Sequence, residues 1–152
     1  MKKIIYSLIA LMVFSLALVS CSDDGDAAAP AGNPATIAAG TYTGTFTREN
    51  AGETTSAQGT ITVTATDSIY TADIQFSSDE FSLNAKSVAN IAYAGANGST
   101  FVFNNDVATN ALGSIFGGRI ENKTLTTAFK FSQRDGRKMK TFNYTFTGSK
   151  TE

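Results

Sequence analysis

Residues 41–48 read Thr-Tyr-Thr-Gly-Thr-Phe-Thr-Arg, and their alternation is the basis of the predicted architecture. Threonines occupy the odd positions, whereas Tyr42, Gly44 and Phe46 occupy even ones. Successive side chains of a β-strand point to opposite faces, so one face of this segment is polar and the other is largely aromatic. Threonine and aromatic residues also suit a pleated surface with one dry face. We therefore predict a β-strand with a buried aromatic face.

The same alternation recurs in four further segments. Their predicted inward residues are Ile61, Val63 and Ala65 in 58–65; Tyr70, Ala72, Ile74 and Phe76 in 69–76; Leu125, Thr127, Phe129 and Phe131 in 124–133; and Phe142, Tyr144 and Phe146 in 141–148. The best candidate for an amphipathic helix is 107–116, but Gly113 and Gly117 weaken it. The folded part is therefore predicted to be all-β.

Short turn-forming segments separate the predicted strands. They lie at 49–53, 66–68, 96–99, 121–123 and 134–137. Strands repeated every 8–12 residues or so, with short turns between them, are typical of a barrel or sandwich. Because no long crossover is needed, we predict a single antiparallel up-and-down meander β-barrel of about eight strands, lipocalin- or calycin-like, over 39–152. Within it, 79–93 is predicted to hold two strands with a bulge or loop nearby.

The composition excludes several classes of function. The 152 residues carry a formal net charge of −1, no histidine and one cysteine. Cys/His zinc sites, histidine-based catalysis and internal disulfides are therefore ruled out, and no dominant basic surface for nucleic acid is expected. The neighbouring carboxylates Asp79 and Glu80 would point to opposite faces of a strand, and a polar turn is their simpler interpretation. We predict a protein that is not an enzyme and has no metal, cofactor or nucleic-acid partner.

The first twenty residues have the organisation of a signal peptide. Lys2 and Lys3 precede an apolar run over 4–19, which is shorter than the roughly twenty residues of a membrane-spanning helix. The following Leu18-Val19-Ser20-Cys21 resembles the bacterial lipobox, in which the cysteine is acylated and becomes the mature N-terminus. We predict a lipoprotein signal peptide over 1–20 and a membrane anchor at Cys21, because two or three acyl chains bind far more firmly than one. The alternative is a secreted protein with a spare cysteine.

Residues 21–38 are predicted to be a lipid-anchored, flexible tether, because they contain both prolines of the chain and no apolar period. The acidic cluster of Ser22, Asp23, Asp24 and Asp26 resembles the surface-export signal of Bacteroidota lipoproteins. This resemblance implies an outer-membrane protein exposed at the cell surface. Alternatively, the acidic residues merely solvate the linker, and the protein lies on the inner leaflet of the outer membrane.

Three segments resemble the calycin-like (lipocalin-like) lipoproteins of Bacteroidota. They are AGTYTGTF at 39–46, GRIENKTL at 118–125 and FNYTFTG at 142–148. The resemblance spans 40–148 and implies a small β-barrel without assigned biochemistry. The chain departs from the family's pattern at 101–116.

The barrel interior is the candidate ligand site. An eight-stranded barrel is just wide enough to be filled by its own side chains or to hold one small ligand, and the density of phenylalanine favours a packed or nearly packed interior. The first hypothesis is a carrier of a small apolar ligand, with a pocket lined by Tyr42, Phe46, Phe76, Phe129, Phe131 and Tyr144.

The alternative is a protein-interaction module, such as an inhibitor or immunity-type lipoprotein, that acts through the rim loops 104–118 and 134–140. The second loop concentrates four basic residues and could dock an anionic partner, although such a turn is more often a solvated tip. A cavity of roughly 300 Å³ or more would favour the ligand carrier. A filled barrel with an exposed apolar patch would favour the protein partner.

Asp67-Ser68-Ile69 resembles the Asp-Ser/Thr-apolar O-glycosylation site of exported Bacteroidota proteins. Ser68 falls in a predicted turn, where a glycosyltransferase could reach it. Because short motifs of this kind also occur by chance, O-glycosylation of Ser68 is a hypothesis that an intact mass would test.

Overall fold

Eight antiparallel strands form a closed barrel in the computed structural model, which describes residues 32–94, 100–104 and 117–151. The strands are β1 (Gly40–Asn50), β2 (Glu53–Ala65), β3 (Thr71–Ser78), β4 (Leu83–Tyr93), β5 (Thr100–Asn104), β6 (Gly117–Glu121), β7 (Thr124–Asp135) and β8 (Lys138–Lys150). Each strand pairs with its neighbours in sequence, and β8 pairs with β1 to close the barrel. The predicted up-and-down meander is therefore confirmed.

The predicted alternation builds the interior. Tyr42 and Phe46 of β1 are buried, whereas Thr43 between them is exposed. On the outer face, threonines pair across strands, as Thr41 does with Thr62 through their hydroxyl groups at 3.4 Å. The largest fully buried side chains are Tyr42, Tyr144, Phe46, Phe76, Phe146, Ile61, Ile74, Leu83, Ile91, Leu125 and Pro34. Because burial of each large apolar side chain contributes roughly 1.5–3 kcal/mol, this interior dominates the stability of the barrel.

The connections define two ends of the barrel, which we call the helix end and the hairpin end. The helix end carries a short helix, α1 (Pro34–Ala38), with the β2–β3 loop and the β6–β7 turn. The hairpin end carries the β1–β2 turn, the β3–β4 loop and the β7–β8 turn. Two further connections, 95–99 and 105–116, lie outside the described residues.

Helix α1 corrects the predicted boundary of the tether, which was placed at residue 38. The side-chain oxygen of Asn33 accepts a hydrogen bond from the amide of Ala35 at 3.0 Å, and a proline occupies the first helical turn. Both are helix-start signals, but five residues are too few to show a helical period. Pro34, Ala35 and Ala38 are buried, so they belong to the folded domain. No helix among the described residues has the length and hydropathy of a membrane span.

Residues 83–93 correct the prediction of two strands within 79–93, because they form one continuous strand, β4. Its inward positions include Ala85, Ser87 and Ala89, all of which are buried. Small and polar inward residues give a weak hydrophobic alternation. The strand was therefore difficult to recognise from the sequence.

Tyr70 was predicted to point into the barrel with Ala72, but it is 53% exposed. It precedes the first residue of β3, Thr71, and has a φ of 69°, so the alternation of the strand does not extend to it. Its amide donates to the side-chain oxygen of Asn33 at 3.3 Å, and its carbonyl accepts from the amide of Ile91 at 2.7 Å. These two bonds hold the left-handed backbone that turns the ring outward.

Candidate functional site

The predicted ligand-binding residues meet in the barrel interior. Five of them are almost inaccessible: Phe46 and Phe76 are 0% exposed, Tyr42 and Tyr144 are 1% exposed, and Phe129 is 4% exposed. Phe131, nearer the hairpin end, is half-buried and packs against this core. These six residues therefore share the barrel core or pack against it, and their role in ligand binding stays a prediction.

The rings of this cluster pack against one another. The ring centroids of Phe76 and Phe129 are 4.6 Å apart, as are those of Phe46 and Phe146. Phe129 also stacks on Tyr144 with centroids 5.2 Å apart and an interplanar angle of 9°. Rings at such distances are in contact, so they leave no ligand-sized space between them. In the described part of the chain, the predicted apolar pocket is filled by its own lining.

Two inward glycines allow the rings to lie directly on the barrel wall. A Cβ atom at Gly59 would lie 2.6 Å from Cε2 of Phe46. A Cβ atom at Gly148 would lie 2.7 Å from Cε1 of Phe146. The space that each missing side chain leaves is therefore occupied by a phenylalanine ring, and neither glycine creates a cavity.

Surface grooves with linings of described residues lie along the strands. A groove of about 390 Å³ spans β2, β3 and β4 and is lined by Thr62, Thr64, Asp73, Ile74, Gln75, Lys86, Ser87 and Val88. Grooves of about 700 and 500 Å³ lie along β6–β7 and along β2–β3. The linings of these grooves are mainly threonines and other outward residues of the strands. These grooves therefore lie on the outer wall and do not open into the aromatic interior.

Tyr42 closes the interior at the helix end. Its hydroxyl donates a 2.7 Å hydrogen bond to the carbonyl of Ala38, the last residue of α1. Burial raises the pKa of Tyr42 to about 12, because the phenolate would lose its hydration inside the barrel. The neutral phenol therefore joins α1 to the first strand.

Arg48 covers the interior at the hairpin end. It continues the inward positions of β1 after Phe46, and its side chain is half-buried. Its guanidinium carbon lies 4.5 Å from the ring centroid of Phe81 and 4.8 Å from that of Phe142. These are cation–π distances. Arg48 is not among the predicted site residues, although its position two residues after Phe46 places it on the inward face.

Polar groups converge beneath Arg48. The Tyr144 hydroxyl donates to the side-chain oxygen of Gln133 at 3.1 Å, and the Gln133 amide donates to the carbonyl of Phe81 at 3.2 Å. Burial raises the pKa of Tyr144, while a hydrogen bond and the positive charge from Arg48 oppose that rise. Arg48 forms no salt bridge with any carboxylate of the described residues. The hairpin end therefore places a cation and two polar side chains over an aromatic stack.

The β7–β8 tip, defined as residues 134–140, extends beyond the barrel. Every side chain described in this segment is exposed, and Met139 is 64% exposed. Strand β8 pairs with β1 only from Asn143 onward, so in the described structure the ladder of the tip lies within its own hairpin. The tip contains four basic residues and one acidic residue, Asp135. It is an exposed, basic hairpin with one large apolar side chain.

The remaining predicted sites are placed only in part. Ser68 is exposed in the β2–β3 loop at the helix end, and its glycosylation stays a prediction. Cys21 and the acidic cluster of 22–26 lie outside the described residues, as does most of the rim loop 104–118. Among the residues described, no three His, Cys, Asp or Glu side chains are grouped in a way that could hold a metal ion.

Comparison with known proteins supports the fold. No family model and no curated protein matches the chain. The chain is similar to a crystal structure of a Bacteroides fragilis protein that is provisionally assigned to the outer membrane, with a TM-score of 0.55 and 13% sequence identity. The match covers 78% of this chain and 53% of that protein, so the chain spans about half of its length. At this identity the likeness concerns the fold alone.

Proposed function

We propose that this protein is an outer-membrane lipoprotein whose calycin-like barrel is a binding module without enzymatic activity. The lipobox at Cys21 and the similarity of the fold to the Bacteroides fragilis protein support an outer-membrane location. The acidic cluster at 22–26 supports export to the cell surface. The barrel itself would act as a rigid scaffold, because its described interior is filled with packed rings.

The binding surface in this proposal is the β7–β8 tip, and its partner is a protein with an acidic surface. The observation that carries the proposal is the exposure of the tip outside a filled barrel, with four basic residues around Met139. Complementary charge accelerates association and selects partners, while an apolar side chain at the centre supplies buried area. This is the protein-interaction alternative of the sequence analysis.

The position of the tip is consistent with such a role. The described chain begins at Gly32, at the helix end, and the tip lies at the opposite end of the barrel. If Cys21 is anchored in the membrane, the membrane attachment is at the helix end. The tip would then face away from the membrane and be accessible to a partner.

Site-specific photo-crosslinking in the native cells tests this proposal. A photoreactive amino acid at Met139 should form a crosslink to one discrete protein, whereas the same residue at Val102, which is 41% exposed on β5, should not. The charge reversals Arg137→Glu and Lys138→Glu should abolish the crosslink without lowering the amount of folded protein. Equal crosslinking from both positions, or crosslinking that survives both reversals, would contradict the proposed surface.

Arg48 favours a second candidate, a small amphipathic anion bound at the hairpin end. Ligand sites commonly combine an apolar lining with a few convergent polar groups that fix orientation. Here the guanidinium of Arg48, the Tyr144 hydroxyl and the Gln133 amide lie at the top of the aromatic stack. An anionic head could bind Arg48, while the apolar part would have to displace the ring of Phe81 from beneath it.

Native mass spectrometry of protein purified from its own cells tests the second candidate. A co-purifying lipid or acidic metabolite that is lost in Arg48→Gln and retained in Arg137→Gln would support it. The second variant is the matched control, because it removes an arginine from the exposed tip and leaves the interior unchanged. A barrel that is empty in the wild-type protein would argue against a bound ligand.

A further inference from the structure

Three large apolar side chains are exposed together at the helix end. Ile37 of α1 is 45% exposed, and Ile69 and Tyr70 of the β2–β3 loop are 68% and 53% exposed. We call these three residues the apolar patch. They lie at the end of the barrel where the described chain begins, opposite the charged β7–β8 tip.

Hydrogen bonds through Asn33 bring the members of the patch together. The side-chain oxygen of Asn33 accepts from the amide of Tyr70 at 3.3 Å, and its carbonyl accepts from the amide of Ile37 at 3.2 Å. Asn33 therefore joins the two segments that form the patch, α1 and the β2–β3 loop. The left-handed φ of 69° at Tyr70 costs free energy for a residue with a large side chain, yet it keeps the ring in solvent.

Two lysines lie at the same end of the barrel. The ammonium group of Lys150 donates to the carbonyl of Ile37 at 3.3 Å, next to the patch. The amide of Lys150 also donates to the carbonyl of Lys123 in the β6–β7 turn, at 2.8 Å. Isoleucine and tyrosine side chains with lysines at the same end of the barrel are a combination that lipid–water interfaces favour, because apolar groups enter the interface and cations approach the phosphates.

The length of the preceding chain limits how far this end can lie from an anchor at Cys21. Ten residues separate Cys21 from Gly32. Even fully extended they would span at most about 36 Å. Acyl chains on Cys21 would therefore hold the patch close to a bilayer surface at high effective concentration.

We propose that the helix end of the barrel rests on the bilayer, with Ile37, Ile69 and Tyr70 in the lipid–water interface and Lys123 and Lys150 facing the phosphates. This inference rests on the proposed lipid anchor. The protein would then be attached to the bilayer at two points, the acylated Cys21 and the apolar patch, and the orientation of the barrel would be fixed. The carboxylate of Asp67, beside the patch in the β2–β3 loop, faces the headgroups.

Tryptophan fluorescence tests this docking, because the natural chain contains no tryptophan. Full-length protein carrying Tyr70→Trp is reconstituted in phosphatidylcholine vesicles with either ordinary or brominated acyl chains. We expect a shift of its emission to shorter wavelength and the loss of most of its intensity in the brominated vesicles. The matched control Met139→Trp should show neither change. Ile69→Trp provides a second reporter in case the first substitution disturbs the loop.

Two further measurements distinguish failure of the docking from failure of the lipid anchor. They are co-sedimentation with vesicles and the intact mass of the protein, which shows whether Cys21 is acylated. Protein that is acylated and sediments with vesicles, but whose tryptophans at 69 and 70 are not quenched, would overturn the docking and leave the anchor intact. Protein that carries no acyl chains and stays in the supernatant would overturn both. A glycan on Ser68 of the native protein would also overturn the docking, because it would place sugars between Ile69 and the bilayer.

Discussion

The two ends of this barrel are closed by different means. At the helix end, Ala35 and Ala38 of α1 are buried, and the Tyr42 hydroxyl donates to a helix carbonyl. At the hairpin end, the half-buried side chain of Arg48 lies over the rings of Phe81 and Phe142. Among the described residues, the closure at the helix end consists of a folded segment and a buried hydrogen bond, whereas the hairpin end is covered by the long cationic side chain of Arg48.

The difference assigns different roles to the two ends. Removing the closure at the helix end would expose apolar atoms and leave a buried carbonyl without its donor, so this end should be necessary for folding. Movement of Arg48 away from the rings would cost its cation–π contacts with Phe81 and Phe142 and its hydrogen bond with Tyr144, but it would unfold no segment, so the hairpin end can respond to a ligand or partner. The exposed large apolar residues follow the same division, because three of them lie at the helix end and the β7–β8 tip, which is mainly basic, carries one.

The largest expected effect is that of Tyr42→Ala, which should lower the free energy of unfolding by about 3–5 kcal/mol, as truncation of buried aromatic residues does. Met139→Ala, at the exposed tip, should change it by less than about 0.5 kcal/mol. Urea unfolding of both variants, followed by circular dichroism, measures the contrast. Similar losses in the two variants would show that the tip also supports the fold.

Tyr42→Phe isolates the hydrogen bond of the helix end. Loss of the hydroxyl leaves the carbonyl of Ala38 without that donor, and we expect a loss of about 1–3 kcal/mol at neutral pH. Tyr70→Phe, on an exposed ring, is the matched control and should have a much smaller effect. Urea unfolding at pH 7 measures both variants, and equal losses would mean that the bond to α1 contributes nothing specific.

The difference in stability between the wild-type protein and Tyr42→Phe should also depend on pH. Tyr42 ionises near pH 10 in the unfolded chain, but burial raises its pKa to about 12 in the folded protein. Between these values the unfolded state has released a proton that the folded state retains. The stability advantage of the wild-type protein over Tyr42→Phe should therefore be complete below about pH 10 and decline as the pH rises towards 12. A constant difference across this range would contradict the assigned burial.

The strands that the sequence predicted best are those with strong contrast between their faces. In β1, threonines alternate with Tyr42 and Phe46, so period two was visible without tertiary information. In β4 the inward positions include Ala85 and Ser87, which are buried and lie opposite Phe76 and Ile74 of β3. Such a strand is specified by its context in the closed barrel, which the local sequence does not contain.

The site was less predictable than the fold. The six predicted aromatic residues do cluster, but an inward ring in the sequence does not reveal whether its neighbours leave space beside it. That depends on contacts such as Phe46 against Gly59, which pair residues on different strands. Arg48 was overlooked because a cation in the sequence suggests that the buried face of the strand has ended. The long apolar part of an arginine side chain can nevertheless pack against buried residues.

Arg48→Met should lower the free energy of unfolding by about 1–2 kcal/mol, because it removes a cation from two aromatic rings in a half-buried setting. Arg48→Lys keeps the charge and should retain part of this stabilisation. The double variant Arg48→Met/Phe81→Leu measures the coupling, and its loss should be smaller than the sum of the two single losses. Strict additivity in urea unfolding would show that Arg48 acts on stability independently of Phe81.

Ala51→Gly tests the smallest effect, within the hairpin end itself. Ala51 has a φ of 51° in a two-residue turn followed by Gly52 at 88°, the combination of a type I′ turn in which a side chain is disfavoured. Glycine should relieve that strain and raise the free energy of unfolding by about 0.5 kcal/mol, after its greater freedom in the unfolded chain is subtracted. The reverse substitution Gly136→Ala, at a φ of 61° in the neighbouring β7–β8 turn, should lower it by about 1 kcal/mol. A Cβ atom at Gly136 would meet no atom within 4 Å, so backbone strain is the expected cause of the loss there. If urea unfolding gave both changes the same sign, strain in the left-handed region could not explain both.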